Sequence, residues 1–164
     1  PMDVAACGAW LDQGANQRVY TQHFLRTMKQ QSEARLARFP GLFDAARMRA
    51  ATTLRDFDDT VTAPLHGFAG VDDYWHRASA RPLLPHIALP TLLIMPRNDP
   101  FLTDACYPDP ARCPASLTLE TPAAGGHVGF SNGRGIDKDR WLPTRIIKFF
   151  AQSLGLTLPT TQTD

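Results

Sequence analysis

Asp99 and His127 are residues whose types and placing suit them to joint chemistry. Asp99 lies in Arg97-Asn98-Asp99-Pro100, directly after a short apolar run, and His127 closes Gly125-Gly126-His127, 28 residues later. An aspartate beside an imidazole accepts a hydrogen bond from one ring nitrogen, fixes the tautomer and stabilises the cation formed when the other nitrogen takes a proton. The glycines ahead of His127 let the backbone bring the ring close to such a partner. Spacing alone also admits the plainer reading of Asp99 as a turn residue before proline and His127 as a loop histidine.

Other candidates are weaker. Gly129-Phe130-Ser131-Asn132-Gly133 has the letters of the G-x-S-x-G nucleophile elbow, which needs a strand before it and a helix after it. Ser131 instead follows His127 by four residues, in a loop that Gly133-Arg134-Gly135 prolongs, so it is not expected to be a nucleophile. Ser32 and Ser79 stand in helical or cap-like surroundings without flanking glycines. His66 and His76 fall in a helical region, where satisfied structural histidines are the expectation. Asp56, Asp58 and Asp59 are clustered but lack the glycine and terminal glutamate of a calcium loop, so no metal is expected. Cys7, Cys106 and Cys113 are too few and too scattered for a disulfide framework and suit a reducing compartment. Cys106 and Cys113 leave a bridge or metal pair open, although no histidine stands near them to build a zinc site of about four ligands.

The elements that must position Asp99 and His127 follow from hydrophobic patterning. Thr91-Leu92-Leu93-Ile94-Met95 is a short apolar run that reads as a buried strand, and residues 116–121 alternate Leu117 and Leu119 with polar neighbours as a second strand. The two candidates then follow the C-terminal ends of two successive strands, the edge where open α/β sheets gather their ligands and catalytic groups. A last helix is expected over 139–154, burying Trp141, Leu142, Ile146, Phe149, Phe150 and Leu154, with a frayed polar tail from Thr157. Upstream the chain reads as helix and loop without a strand signal. A helix over 3–13 has Asp3 as its cap. A longer one over 17–39 has Tyr20, Phe24, Met28, Leu36 and Phe39 mostly on one stripe, and Pro40-Gly41 stops it. Asp44 caps a third through Ala51, Thr53 and Asp56 resemble a capping box, and another helix covers 72–78.

The bulk properties exclude several classes. A net charge of +1 gives no global pull toward nucleic acid. The apolar run Leu92–Met95 falls far short of the roughly 20 residues that span a bilayer. Seven Lys/Arg against two Asp/Glu between Gly14 and Ala51 read as a solvated helix surface, or as a weakly basic face toward anionic lipid or substrate. No signal peptide is expected at the start, Pro1-Met2-Asp3, which reads as the end of a strand-to-helix loop, as though the chain began in mid-domain.

Several segments resemble the YheT-like branch of the α/β-hydrolases: LLIMPRNDPF at 92–101, GGHVGF at 125–130, Phe39-Pro40-Gly41, Arg55-Asp56-Phe57-Asp58-Asp59, Thr62 to Phe68, Asp73-Tyr74-Trp75 and Ser79. Trp75 departs from the family's usual second tyrosine. The resemblance implies the C-terminal part of an α/β-hydrolase fold: the last parallel strands and helices, over 86–155, with a helical cap insertion over 15–85 and a flexible tail over 156–164. It implies a serine hydrolase of acyl or lipid esters without cofactor, in which Asp99 and His127 are the triad acid and histidine. Because such enzymes present serine, acid and histidine in that chain order, the serine is expected upstream of this chain, which alone should be inactive. The alternatives are a non-catalytic truncated module that pairs with a chain supplying the serine half, and a different enzyme of the same fold such as a dehalogenase. A cytoplasmic location is expected.

Overall fold

The computed structural model describes residues 2–130 and 141–157. It divides into two compact units, one taking the chain up to Pro82 together with Phe101–Tyr107, the other taking Leu83–Pro100 and the chain from Pro108 onward.

The described regular elements of the first unit are helical. Helix α1, Val4–Leu11, starts where expected because the Asp3 carboxylate accepts the Ala6 N–H. A continuous helical stretch then runs from Gly14 to Arg38, with a wide π-type turn at Gln17–Thr21 before α2, Gln22–Arg38. The wide turn carries Thr21, which is buried and donates its hydroxyl to the Leu11 carbonyl at 2.7 Å. On α2 the deepest residues are Leu25 and Ser32, whereas Tyr20, Phe24, Met28 and Leu36 are half-buried and Phe39 is exposed. The buried line is therefore set off from the expected aromatic stripe. Leu25 joins Phe43, Met48, Ala51, Phe57 and Val61 in the core of this unit.

Asp44 caps α3, Ala45–Ala50, and Lys29 closes its far end by donating to the carbonyls of Arg49 and Ala51. Thr53 and Asp56 form the expected capping box at the start of α4, Leu54–Phe57. Patterning did not reveal that Asp12, 42 residues earlier, accepts the next orphan donors, Leu54 N–H at 2.7 Å and Arg55 N–H at 3.0 Å. Another wide turn, Asp58–Thr62, and a single turn, Ala63–Leu65, lead to α5, Val71–Ala78. The indole of Trp75 lies against Gly8 so closely that a Cβ there would sit 2.7 Å from the ring, so α1 meets α5 only because position 8 has no side chain.

Among the described residues the second unit holds two parallel strands, β1, Thr91–Ile94, and β2, Leu117–Glu120, in the register Thr91 with Leu117 through Ile94 with Glu120. Backbone bonds extend the ladder at both ends: Thr91 N–H to Ser116 O, Met95 N–H to Glu120 O and Arg97 N–H to Pro122 O. Helix α6 spans Trp141–Ser153.

Two expectations about burial are corrected here. The residues of β1 are half-buried along their length rather than buried. On α6 only Phe149 and Ala151 are buried, Trp141 and Leu142 are half-buried and Ile146 and Phe150 are exposed, as is Leu154 just past its end, the last two at 58% and 69%. The cause is geometric. Strands lie about 4.8 Å apart, so a two-stranded sheet covers only a narrow stripe of an α-helix about 10 Å wide. The expected tail beyond 157, and the first residues of the expected last helix at 139–140, lie outside the described residues.

Candidate active site

Each candidate side chain is placed by the turn that follows its strand. After β1 the chain buries Met95 and turns through Arg97–Pro100, with the Asp99 N–H donating to the Pro96 carbonyl. After β2 the loop closes on itself, the Phe130 N–H donating to Gly125 O at 2.8 Å. Phe130 adopts a left-handed φ of 45°, uncommon for a bulky residue, and it is held there by burial and by stacking on Trp141 at 5.5 Å between ring centres.

The paired glycines have separate causes. A Cβ at Gly125 would lie 2.8 Å from both Phe130 and Pro96, so this position is fixed by close approach of two rings. Gly126 has φ +58° and open space around it, so its requirement is conformational. Its N–H donates to the Asn98 side-chain oxygen at 2.8 Å.

These constraints bring Asp99 Oδ2 to 2.9 Å from His127 Nδ1. The aspartate side chain is 4% exposed and the histidine side chain 54%. In the tautomer in which Nδ1 donates to the carboxylate, Nε2 is left as the acceptor nitrogen of the ring. The arrangement is a buried carboxyl group in contact with an accessible imidazole.

Other residues singled out from the sequence do other things. Asp56 belongs to the capping box. Asp58 accepts from Thr62 and from the Trp75 indole N–H. Burial pushes its carboxyl above the ordinary value against the pull of those two hydrogen bonds, and the Asp12 charge adds to the rise. Asp59 accepts the Val71 N–H and pairs with Arg47. His66 and His76 are exposed, which corrects the expectation of satisfied structural histidines. Cys106 faces Cys7, and the Cys113 thiol donates to the Asp109 carbonyl. Ser131 lies outside the described residues. An open groove of about 660 Å³ in the first unit is lined by Arg47, Arg55, Asp59, Asp72 and their neighbours and includes neither Asp99 nor His127. Four of its charges pair with one another, Arg47 with Asp59 and Arg55 with Asp72.

Patterning missed three supporting residues: Asn98, read only as part of a turn, and Phe130 with Trp141, whose stacking joins the histidine loop to α6. The available signal was the run of an asparagine beside the aspartate and an aromatic three residues past the histidine.

Comparison with known proteins gives a consistent set of relatives. The chain is 35% identical over 148 residues to the Escherichia coli (strain K12) protein named "Putative esterase YheT", covering 89% of this chain and 43% of that protein. It is 37% identical over 98 residues to the Synechocystis protein named "Putative esterase slr0264", covering 57% of this chain and 27% of the relative. With human "Phospholipase ABHD3" it shares 24% identity over 150 residues, 91% of this chain and 36% of the relative. The chain thus spans less than half the length of these relatives. No family model matches, and no solved structure matches. Among the described residues no helix is long and apolar enough to cross a membrane.

Proposed function

The chain belongs to the YheT-like branch of the α/β-hydrolases, and on that premise we propose that it carries the acid and histidine of a serine hydrolase acting on acyl or lipid esters. The observation behind this reading is the 2.9 Å contact between Asp99 Oδ2 and His127 Nδ1 on turns that follow adjacent parallel strands. In the proposed reaction His127 Nε2 takes the proton of a serine hydroxyl as that oxygen attacks the ester carbonyl. It then returns the proton to the leaving alcohol, and the same cycle with water releases the acid. Asp99 keeps the ring in the productive tautomer throughout. The names of the relatives, esterase and phospholipase, support esters as the substrate class.

The serine is proposed to come from polypeptide outside residues 1–164. In support, Ser32 is enclosed within α2. Ser79 donates to the Trp75 carbonyl and accepts the Val4 N–H. Ser116 and Ser153 donate to the carbonyls of Ile87 and Phe149. Residues 15–85 are read as the helical cap. The exposed apolar residues of α6 are read as surface that further parts of the same fold cover.

The test is to compare the 164-residue chain with a longer polypeptide that adds a serine-bearing strand–turn–helix. The short chain should neither hydrolyse p-nitrophenyl esters nor take up a fluorophosphonate probe. The longer one should do both, and His127→Ala should abolish its turnover while leaving it folded. Stoichiometric labelling of Ser131 in the short chain would overturn the assignment.

A further inference from the structure

Cys7 and Cys106 stand 99 residues apart in the sequence and meet in the first unit with their sulfurs 3.5 Å apart. Cys7 lies half-buried on α1, and Cys106 is fully buried at the end of the single 3-10 turn Asp104–Cys106. That turn is held in place on several sides. The Cys106 N–H donates to Thr103 O at 2.9 Å, the Thr103 hydroxyl contacts the Cys106 sulfur, and Arg81 donates to the Ala105 carbonyl. Arg81 also lies 3.5 Å from Asp3, the residue that caps α1. The two thiols are therefore presented to each other by elements with several independent attachments.

We propose that Cys7 and Cys106 are a redox-modifiable pair that peroxide closes into a disulfide, stapling α1 to the 104–106 turn. A disulfide bond is about 2.05 Å long, so the sulfurs must approach by roughly 1.5 Å. The chemistry has two steps. Peroxide oxidises the more accessible Cys7 thiol to a sulfenic acid and is reduced to water. The Cys106 sulfur then attacks the Cys7 sulfur, forming the S–S bond and expelling a second water. Two thiols and one peroxide become one disulfide and two waters.

The reaction is slow at neutral pH, which distinguishes the pair from a dedicated peroxide sensor. Burial, together with the hydrogen bond and charge of Cys106 and the charge of Asp3, pushes the Cys7 thiol up to about 12. The thiolate is the reactive form, so the rate should climb about tenfold per pH unit through the mildly alkaline range. Cys113, whose sulfur donates to the Asp109 carbonyl, is the internal control.

The experiment treats the chain with hydrogen peroxide, alkylates remaining thiols and maps the peptides by mass spectrometry. The expected product is a Cys7–Cys106 cross-linked peptide pair lighter by two hydrogens, with Cys113 alkylated. The melting temperature should rise by several degrees, because the crosslink restricts a long loop of the unfolded chain, and dithiothreitol should reverse the rise. Cys7→Ser, Cys106→Ser and the less polar Cys106→Ala should each abolish the product and the shift. The proposal fails if peroxide yields a Cys113 crosslink or an intermolecular dimer. It fails equally if Cys7 proceeds to the sulfinic acid while Cys106 stays open to alkylation. The mapping on the unsubstituted chain decides the matter even if a Cys106 variant does not fold.

Discussion

Asn98 accepts the Gly126 N–H at 2.8 Å, so the turn that carries Asp99 holds the turn that carries His127. The bond acts one residue before each candidate group, and it fixes the separation of the two loops independently of the aspartate–histidine contact itself. Asn98→Ala should speed hydrogen exchange at Gly126, broaden the His127 ring signals and cost about 1 kcal/mol of stability. Asn98→Asp keeps an acceptor in place and should restore slow exchange. Unchanged exchange in Asn98→Ala would show that the loops are held elsewhere.

The two glycines of the histidine loop should respond differently to alanine. At Gly125 the added methyl meets two rings, Phe130 and Pro96, at 2.8 Å, and neither is the end of a flexible side chain. Overpacking of this kind costs about 1–3 kcal/mol and should displace the Phe130 stacking on Trp141, visible as a change in near-ultraviolet circular dichroism. At Gly126 there is open space and only φ +58° to pay for, about 1 kcal/mol. Equal losses at the two positions would contradict the separate causes.

How much of this was legible in the sequence follows the range of the interactions. Asp3, Asp44 and the Thr53–Asp56 box were readable as caps because a cap acts over three residues of its own segment. Asp99 and His127 were readable because strand ends and glycines are local signals. Asp12 reaching Leu54 across 42 residues, and Gly8 making room for Trp75, depend on which helices meet, and no periodicity encodes that. The residues of α6 were misassigned for a related reason. Its apolar positions were legible, but how many of them find cover depends on the number of strands beneath them.

The long-range cap gives a direct stability test. Asp12→Ala strips the acceptor from two backbone N–H groups at the start of α4, a loss of about 1–3 kcal/mol. Thr53→Ala removes one local cap and should cost about 1 kcal/mol. Urea denaturation of both variants should rank Asp12→Ala as the more damaging. The reverse order would mean that the capping box alone starts α4.

Asp58 should impose a pH dependence of defined sign. Its carboxyl is raised in the folded state, chiefly by burial, so the folded chain holds this proton at a pH where the unfolded chain has released it. Stability from this group is then highest near and below the ordinary carboxylate range and is lost as pH rises through the raised folded value. Subtracting the melting temperatures of Asp58→Asn from those of the parent across mildly acidic to neutral pH isolates the group, because Asp56, Asp73 and Glu33 shift downward in both proteins. The difference should move against the parent as pH rises. A flat difference would remove Asp58 as the source.

Ser32 and Ser79 separate a hydroxyl that contributes from one that does not. Ser32 is fully buried on α2, and among the described residues its hydroxyl has no hydrogen-bond partner. Burying an unsatisfied hydroxyl carries a desolvation penalty, and alanine fills the same helical position with better propensity. Ser32→Ala should therefore be neutral or stabilising by up to about 1 kcal/mol. Ser79 is also buried, but its hydroxyl donates to the Trp75 carbonyl at 2.6 Å and accepts the Val4 N–H at 2.9 Å, joining the end of α5 to the start of α1. Ser79→Ala strands both partners and should cost about 1–3 kcal/mol. Thermal melts of the two variants side by side decide the point. If Ser32→Ala is the more destabilising of the pair, the Ser32 hydroxyl has a partner in solution.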